Sequence, residues 1–165
     1  MREGRFSMQL AKEDFKFSAA HFTVFDRRRA ELLHGHNYRV RVELSGASLD
    51  EDGFLVDLDR VKTCVRAACH DLDELTLVPG ESPYVTVDED GDRVTIGFAD
   101  RRYELPREDV RVLPLRNVTI EALAEHLWRE LRTGLGPGPF DRIDRLEVVV
   151  EETDGQRCAY AARLD

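Results

Sequence analysis

Apolar and polar positions alternate loosely over residues 6–19. Phe6, Met8 and Leu10, then Phe15, Phe17 and Ala19, mark a strand with one buried face. Residues 38–46 alternate cleanly. Val40, Val42 and Leu44 face one way and Arg39, Arg41 and Glu43 the other, as in a half-buried antiparallel strand. Asp52-Gly53 marks a turn. Asp57 can then cap a helix running to about residue 74, with Leu58, Val61, Val65, Ala68 and Leu72 recurring at three and four residues. Pro79-Gly80 ends that unit. Three short apolar runs at Tyr84–Val87, Val94–Phe98 and Tyr103–Leu105, with a turn at Asp90-Gly91, predict a small meander. Thr119 opens a second helix with Leu123, Leu127 and Leu131 on one stripe. It stops at Gly134, before the breaker Gly136-Pro137-Gly138-Pro139. Strands at about 143–151 and 157–163, joined by Asp154-Gly155, complete the pattern.

The predicted order is strand, strand, helix, meander, helix, strand, strand. Two hairpins with helices between them give an α+β fold, an antiparallel sheet with two helices on one face. The other face still needs cover, which an oligomer can supply. No internal repeat or linker divides the chain, so residues 1–165 read as a single domain with the meander as an insertion at about 80–107.

Composition narrows the function. The 165 residues suit one domain, able to bury about 70% of the unfolded surface. Lys plus Arg total 24 and Asp plus Glu 33, so the net charge is −9. With a pI near 5.1, no nucleic-acid partner or basic membrane binding is expected. No run approaches the ~18 apolar residues of a membrane span, and no secretory signal is visible. Cys64, Cys69 and Cys158 are odd in number and lack metal-binding spacing. They read as reduced thiols of a cytoplasmic protein.

Three of the five histidines are grouped: His21, then His34-Gly35-His36. In an extended segment, side chains two apart point the same way. A hairpin between the first two strands would deliver His21 to the same end. Three neutral imidazoles around one open position describe a catalytic zinc site. The alternative is a loop of solvated histidines.

The surrounding residues favour the metal site. Phe17-Ser18-Ala19-Ala20-His21-Phe22 followed by Leu33-His34-Gly35-His36-Asn37-Tyr38 resembles the 6-pyruvoyl tetrahydropterin synthase and 6-carboxytetrahydropterin synthase family. Further similar segments follow in order: Asp52–Leu58, Leu72-Asp73, Asn117–Glu121 and Val148–Thr153. The resemblance spans about residues 6–162. It implies the tunnelling fold (T-fold), with trimers joined into a barrel and paired into a homo-hexamer whose active sites lie at subunit interfaces. It also implies that His21, His34 and His36 bind Zn2+, and that the substrate is 7,8-dihydroneopterin triphosphate or a close relative.

By the same resemblance Glu152 anchors the pterin. A carboxylate accepts from the amino group and ring N–H that a pterin edge presents side by side. Thr119 and Glu121 match further pterin contacts, and both also suit the start of a helix. The family's usual catalytic cysteine falls at Ala30 here. Glu31, three residues before His34, instead resembles a branch reading Glu-x-x-His-Gly-His, associated with side-chain cleavage to 6-hydroxymethyl-7,8-dihydropterin. The family's Asp-His pair reads Asp73-Glu74, and His70 would share a face with Glu74 on a continuous helix. Arg27-Arg28-Arg29 can meet a triphosphate, or be solvated beside Asp26 and Glu31.

The expectation is a zinc-dependent lyase of pterin biosynthesis, in a folate or queuosine-type route. Glu31 is its base, with Asp73 and Glu74 in support. The alternative is a non-catalytic or regulatory homologue that keeps metal and pterin.

Overall fold

The computed structural model describes residues 4–136 and 142–164. Its main sheet is built on one long strand. β1 (Phe6–Leu10) and β2 (Lys16–His21) both pair with one edge of β3 (His34–Gly46). α1 (Leu58–His70) leads into β4 (Leu75–Pro79). A separate sheet follows, β5 (Val85–Asp90), β6 (Arg93–Phe98) and β7 (Arg101–Pro106), and then β8 (Val110–Leu113). α2 (Ile120–Leu135) precedes the hairpin of β9 (Arg145–Thr153) and β10 (Gln156–Arg163). The main sheet runs β10-β9-β3-β2-β4-β8, with β1 beside β3.

Both helices start on side-chain caps, as their sequences require. The Asp57 carboxylate accepts from the backbone N–H groups of Asp59 and Arg60, and the Thr119 hydroxyl accepts from that of Ala122. α1 buries Val61, Val65 and Cys69 at four-residue intervals. α2 buries Leu123, Leu127, Leu131 and Leu135, and Trp128 Nε1 donates to Leu146 O at 2.9 Å. These faces close the main core over Val40, Val42, Leu44, Val148 and Val150. Burial pushes the Cys69 thiol up to about 12, consistent with an inert packing role. Among the described residues, no helix is long and apolar enough to cross a membrane.

Three differences from the sequence reading have physical causes. The first long alternation breaks into β1 and β2, separated by a turn at 13–15. The sheet is mixed and not wholly antiparallel: β4 runs parallel to β2 and to β8. Parallel neighbours need a long crossover, and the three-stranded meander is the one that joins β4 to β8. Both of these short strands escape the sequence pattern because they are buried and too brief to show a period. α1 ends at His70, capped at Asp71, and Glu74 has φ 58° in the turn before β4. His70 and Glu74 therefore do not share a helical face. Of the predicted breaker, Pro137–Pro139 lies outside the described residues.

The meander has its own core. Val85, Val94, Ile96 and Phe98 pack with Phe22, Val24, Val78 and Val110. The face of the main sheet away from the helices carries charge: Arg41 pairs with Glu151 at 2.7 Å and Arg145 with Glu147 at 2.6 Å. At the end of β3, Gly46 lies against backbone. A Cβ there would sit 1.9 Å from Arg142 O. Gly46→Ala is expected to cost about 2 kcal/mol, read from the urea midpoint.

Candidate active site and metal centre

The β2/β3 pairing builds the site. His21 lies opposite His34, Ala19 opposite His36 and Phe17 opposite Tyr38. Residues two apart on β3 share a face, so His34, His36 and Tyr38 all project toward the side that carries the helices. Ring centroids are 4.8 Å apart for His21–His34, 4.7 Å for His34–His36 and 5.5 Å for His21–His36. One ligand nitrogen from each ring lies within 4.8 Å of the other two. The predicted hairpin thus gathers the three histidines, which can hold one metal ion.

The hydrogen bonds around the rings support that use. His21 Nδ1 donates to Val118 O at 3.0 Å, and His34 Nδ1 faces Leu32 O at 2.7 Å. A carbonyl only accepts, so each ring carries its proton on Nδ1 and leaves Nε2 as a lone pair. His21 is 1% exposed, and its Nε2 is the buried side-chain atom without a hydrogen-bond partner among the described residues. That nitrogen faces Glu152 Oε1 at 3.3 Å, and His36 Nε2 lies 3.5 Å from the same oxygen. A lone pair facing a carboxylate is repulsive unless a cation lies near. Burial also lowers the His21 pKa, and this outweighs the opposing effects of Val118 O and Glu152. The ring is thereby kept neutral, as a ligand must be. The donor set fits a three-histidine metal ion.

Two carboxylates flank the triad. Glu152 sits on β9 with its Oε1 accepting from Tyr38 Oη at 3.1 Å and its Oε2 accepting from Gln156 Nε2 at 3.0 Å. Glu31 lies in the segment between β2 and β3. Its Oε2 accepts from Thr23 N at 3.1 Å, while its own N–H donates to Thr23 O at 2.9 Å. Burial works to raise the Glu31 pKa. The Thr23 hydrogen bonds and the nearby His34 and His21 outweigh it, so the net shift is downward.

The remaining predicted residues are placed differently. Thr119 and Glu121 begin α2, next to the Val118 carbonyl that holds His21. The Thr119 hydroxyl is spent on its cap, and Glu121 is exposed. Among the described residues, no hydrogen bond or ion pair joins Asp73 or Glu74 to the triad. Asp73 Oδ1 accepts from Ser18 N at 2.7 Å. Both residues line a groove of about 630 Å³ with Lys16, Ser18, Asn37 and Arg39. The same groove is lined by Arg66, Cys69 and His70 of α1, and Glu74 also lines a second groove with Ser18, Asn37 and His36. Arg27 and Arg28 are exposed, and Arg29 pairs with Asp26 at 2.7 Å.

Sequence reasoning gave no role to several residues that shape the site. Tyr38, fully buried, orients Glu152. Asn117 ties the chain after His21 to the start of α2: its Oδ1 accepts from Val24 N, and its Nδ2 donates to Val24 O. The even spacing of Tyr38 from His36 is a signal for the first. Nothing local signals the second. His126, without a motif, lies buried on α2 outside the site. Burial lowers its pKa, with Glu130 and Asp71 opposing and Arg129 assisting. Below its ordinary value of 6.5 the unfolded chain gains the proton first, so stability should fall with pH until the folded ring also protonates. His126→Leu is expected to make the slope of urea midpoint against pH shallower between about pH 7 and 5.

A fold of this shape, with a three-histidine centre beside two carboxylates, defines a class that the comparisons identify. Residues 9–163 match the family model for 6-pyruvoyl tetrahydropterin synthase. The 6-carboxy-5,6,7,8-tetrahydropterin synthase of Bacillus subtilis is 39% identical over 161 residues, covering 94% of this chain and 86% of that protein. A Methanocaldococcus jannaschii protein provisionally named for the same activity is 30% identical over 150 residues, 91% of each chain. The crystal structure of Plasmodium vivax 6-pyruvoyl tetrahydropterin synthase superposes with a TM-score of 0.92 at 26% identity, over 98% of this chain and 99% of that one. The same Plasmodium vivax protein has been solved as catalytic-residue mutants in which a glutamate is replaced by alanine or by cysteine. The chain belongs to the 6-pyruvoyl tetrahydropterin synthase family and is a lyase of that family.

Proposed function

We propose that the chain is a zinc-dependent lyase acting on 7,8-dihydroneopterin triphosphate or a close relative. The observation that carries this reading is the convergence of the His21, His34 and His36 ring nitrogens beside two carboxylates, Glu31 and Glu152. Zinc bound by the three histidines would act as a Lewis acid toward the substrate's side-chain hydroxyls. Glu152, fixed by Tyr38 and Gln156, accepts from the amino group and ring N–H of the pterin. Thr119 and Glu121, at the head of α2 next to Val118, would add the further pterin contacts.

Glu31 is the base. The Thr23 hydrogen bonds keep its carboxylate ionised at neutral pH, so its lone pairs are available to a substrate proton. For side-chain cleavage it takes the proton of the C2′ hydroxyl. The C1′–C2′ bond breaks, C2′ leaves as an aldehyde, and the electron pair passes into the conjugated C6=N5 system. A proton returned to C1′ gives 6-hydroxymethyl-7,8-dihydropterin. The catalytic glutamate of the Plasmodium vivax relative favours this course. The name of the Bacillus subtilis relative favours a second product, 6-carboxytetrahydropterin, from the same substrate and site.

Asp73 and Glu74, which line grooves beside β2, would support proton transfer. The charged sheet face left uncovered by helices favours assembly, and the family resemblance implies a homo-hexamer built as a dimer of trimers. The whole chain then acts as one domain whose meander is an insertion. A cytoplasmic location fits the three free thiols.

The deciding experiment is to give purified zinc-loaded protein dihydroneopterin triphosphate and identify products by mass. Hydroxymethyl-dihydropterin supports the Glu31 route, and a carboxylated or pyruvoyl pterin supports a synthase. Unaltered substrate at full zinc content overturns the proposal.

A further inference from the structure

Glu31 lies in a connecting segment and not on a strand, so something must hold it. Inside the segment the chain folds back on itself. Val24 bridges Ala30, and Phe25 N donates to Arg29 O at 2.9 Å. The Asp26 carboxylate accepts from the N–H groups of Arg28 and Arg29. Thr23 and Glu31 bond to each other as described. These contacts close the small hairpin but leave the outward carbonyls of Ala30 and Glu31 to be met from elsewhere.

Arg101, the first residue of β7, meets both. Its Nη1 donates to Glu31 O, and its Nη2 donates to Ala30 O at 3.1 Å. The guanidinium also lies 5.7 Å from the centroid of the Phe98 ring. Phe98 in turn packs on Phe22, the residue after His21, with centroids 6.1 Å apart. Among the described residues Arg101 forms no ion pair with a carboxylate, so its charge is spent on two neutral carbonyls. A planar fork can span two successive carbonyls; an ammonium cannot hold both in one plane.

We propose that Arg101 is a positioning residue for the reaction. From the inserted sheet it clamps the backbone that carries Glu31, and so fixes the carboxylate against the triad. The inference rests on Glu31 being the base. It makes β5–β7 part of the catalytic apparatus and not merely a crossover between β4 and β8. A displaced base loses rate before it loses substrate affinity, because alignment matters most in the transition state.

The test uses Arg101→Gln and Arg101→Lys, each alone and combined with Glu31→Gln. The control is Arg102→Ala, whose exposed side chain contacts Thr95 and Glu104 and not the loop. With dihydroneopterin triphosphate as probe, Arg101→Gln should lower kcat about 10- to 100-fold with KM changed less than about twofold and zinc content unchanged. Arg101→Lys should fall between it and the native protein. In the Glu31→Gln background Arg101→Gln should cost nothing further. An equal loss in both backgrounds would show that Arg101 acts by another route and would overturn the clamp. Native turnover in Glu31→Gln alone would instead remove the base reading. Amide hydrogen exchange reads the clamp without substrate. The Thr23 and Glu31 amides should exchange about tenfold faster in Arg101→Gln and be unchanged in Arg102→Ala. Unchanged exchange in Arg101→Gln also overturns the inference.

Discussion

Zinc content is expected to collapse in His21→Ala, and turnover with it. His21 is the buried member of the triad: its Nδ1 is fixed by Val118 O, and its Nε2 has no hydrogen-bond partner among the described residues. Removing it leaves two half-exposed imidazoles, one of them on each side of exposed Gly35, and no enclosing third donor. Losing a group that merely orients a ligand costs about 10- to 100-fold in metal affinity, so losing the ligand itself should cost more than about 100-fold. Folding should suffer less. Val118 O loses its donor, at a cost of about 1–3 kcal/mol, but the repulsion between His21 Nε2 and Glu152 disappears too. Metal analysis and the melting shift on adding zinc check this. Native turnover in protein stripped of metal would sink the proposed chemistry.

Glu31→Gln should separate chemistry from metal binding. An amide keeps an oxygen that can accept from Thr23 N, so the loop and the triad should remain as they are. It cannot take a proton. The expected result is kcat lower by about 10²- to 10⁴-fold at full zinc content. The Glu31 shift also sets the pH behaviour. Its folded pKa lies below the ordinary value of 4.5, despite burial that works the other way. Its contribution to stability is therefore present above that value and lost as pH falls through the folded one. Glu31→Gln should remove that part of the acid destabilisation, measured from urea midpoints. An unaltered rate would move the proton-accepting role elsewhere, with Asp73 and Glu74 the next groups to replace.

Much of the site was legible because its elements are short-range. His34 and His36 share a face through the two-residue period of a strand, whatever surrounds them. His21 reached them through a hairpin, the simplest way to pair consecutive antiparallel strands. The two capped helices and the meander were equally local, each marked by a cap or turn residue and a periodic apolar set. What escaped detection was long-range or aperiodic. β4 and β8 are brief and buried, so they show no alternation. The end of α1 was overrun because Leu72 continues the apolar rhythm after the backbone has left the helix; its side chain is still buried, but from a turn.

The sequence by itself determined the three imidazoles on one hairpin and the two helices that cover the sheet. It also placed a carboxylate, Glu31, three residues before His34. Local periodicity suffices for these, since each depends on residues close along the chain. Only the tertiary structure decided which nitrogens are free to bind, because the carbonyls that fix the rings include one from Val118, 97 residues from His21. It alone set Asp73 beside Ser18 and brought Arg101 to the loop of Glu31, 70 residues away. Such encounters follow from how packed layers meet, and no spacing along the chain encodes them.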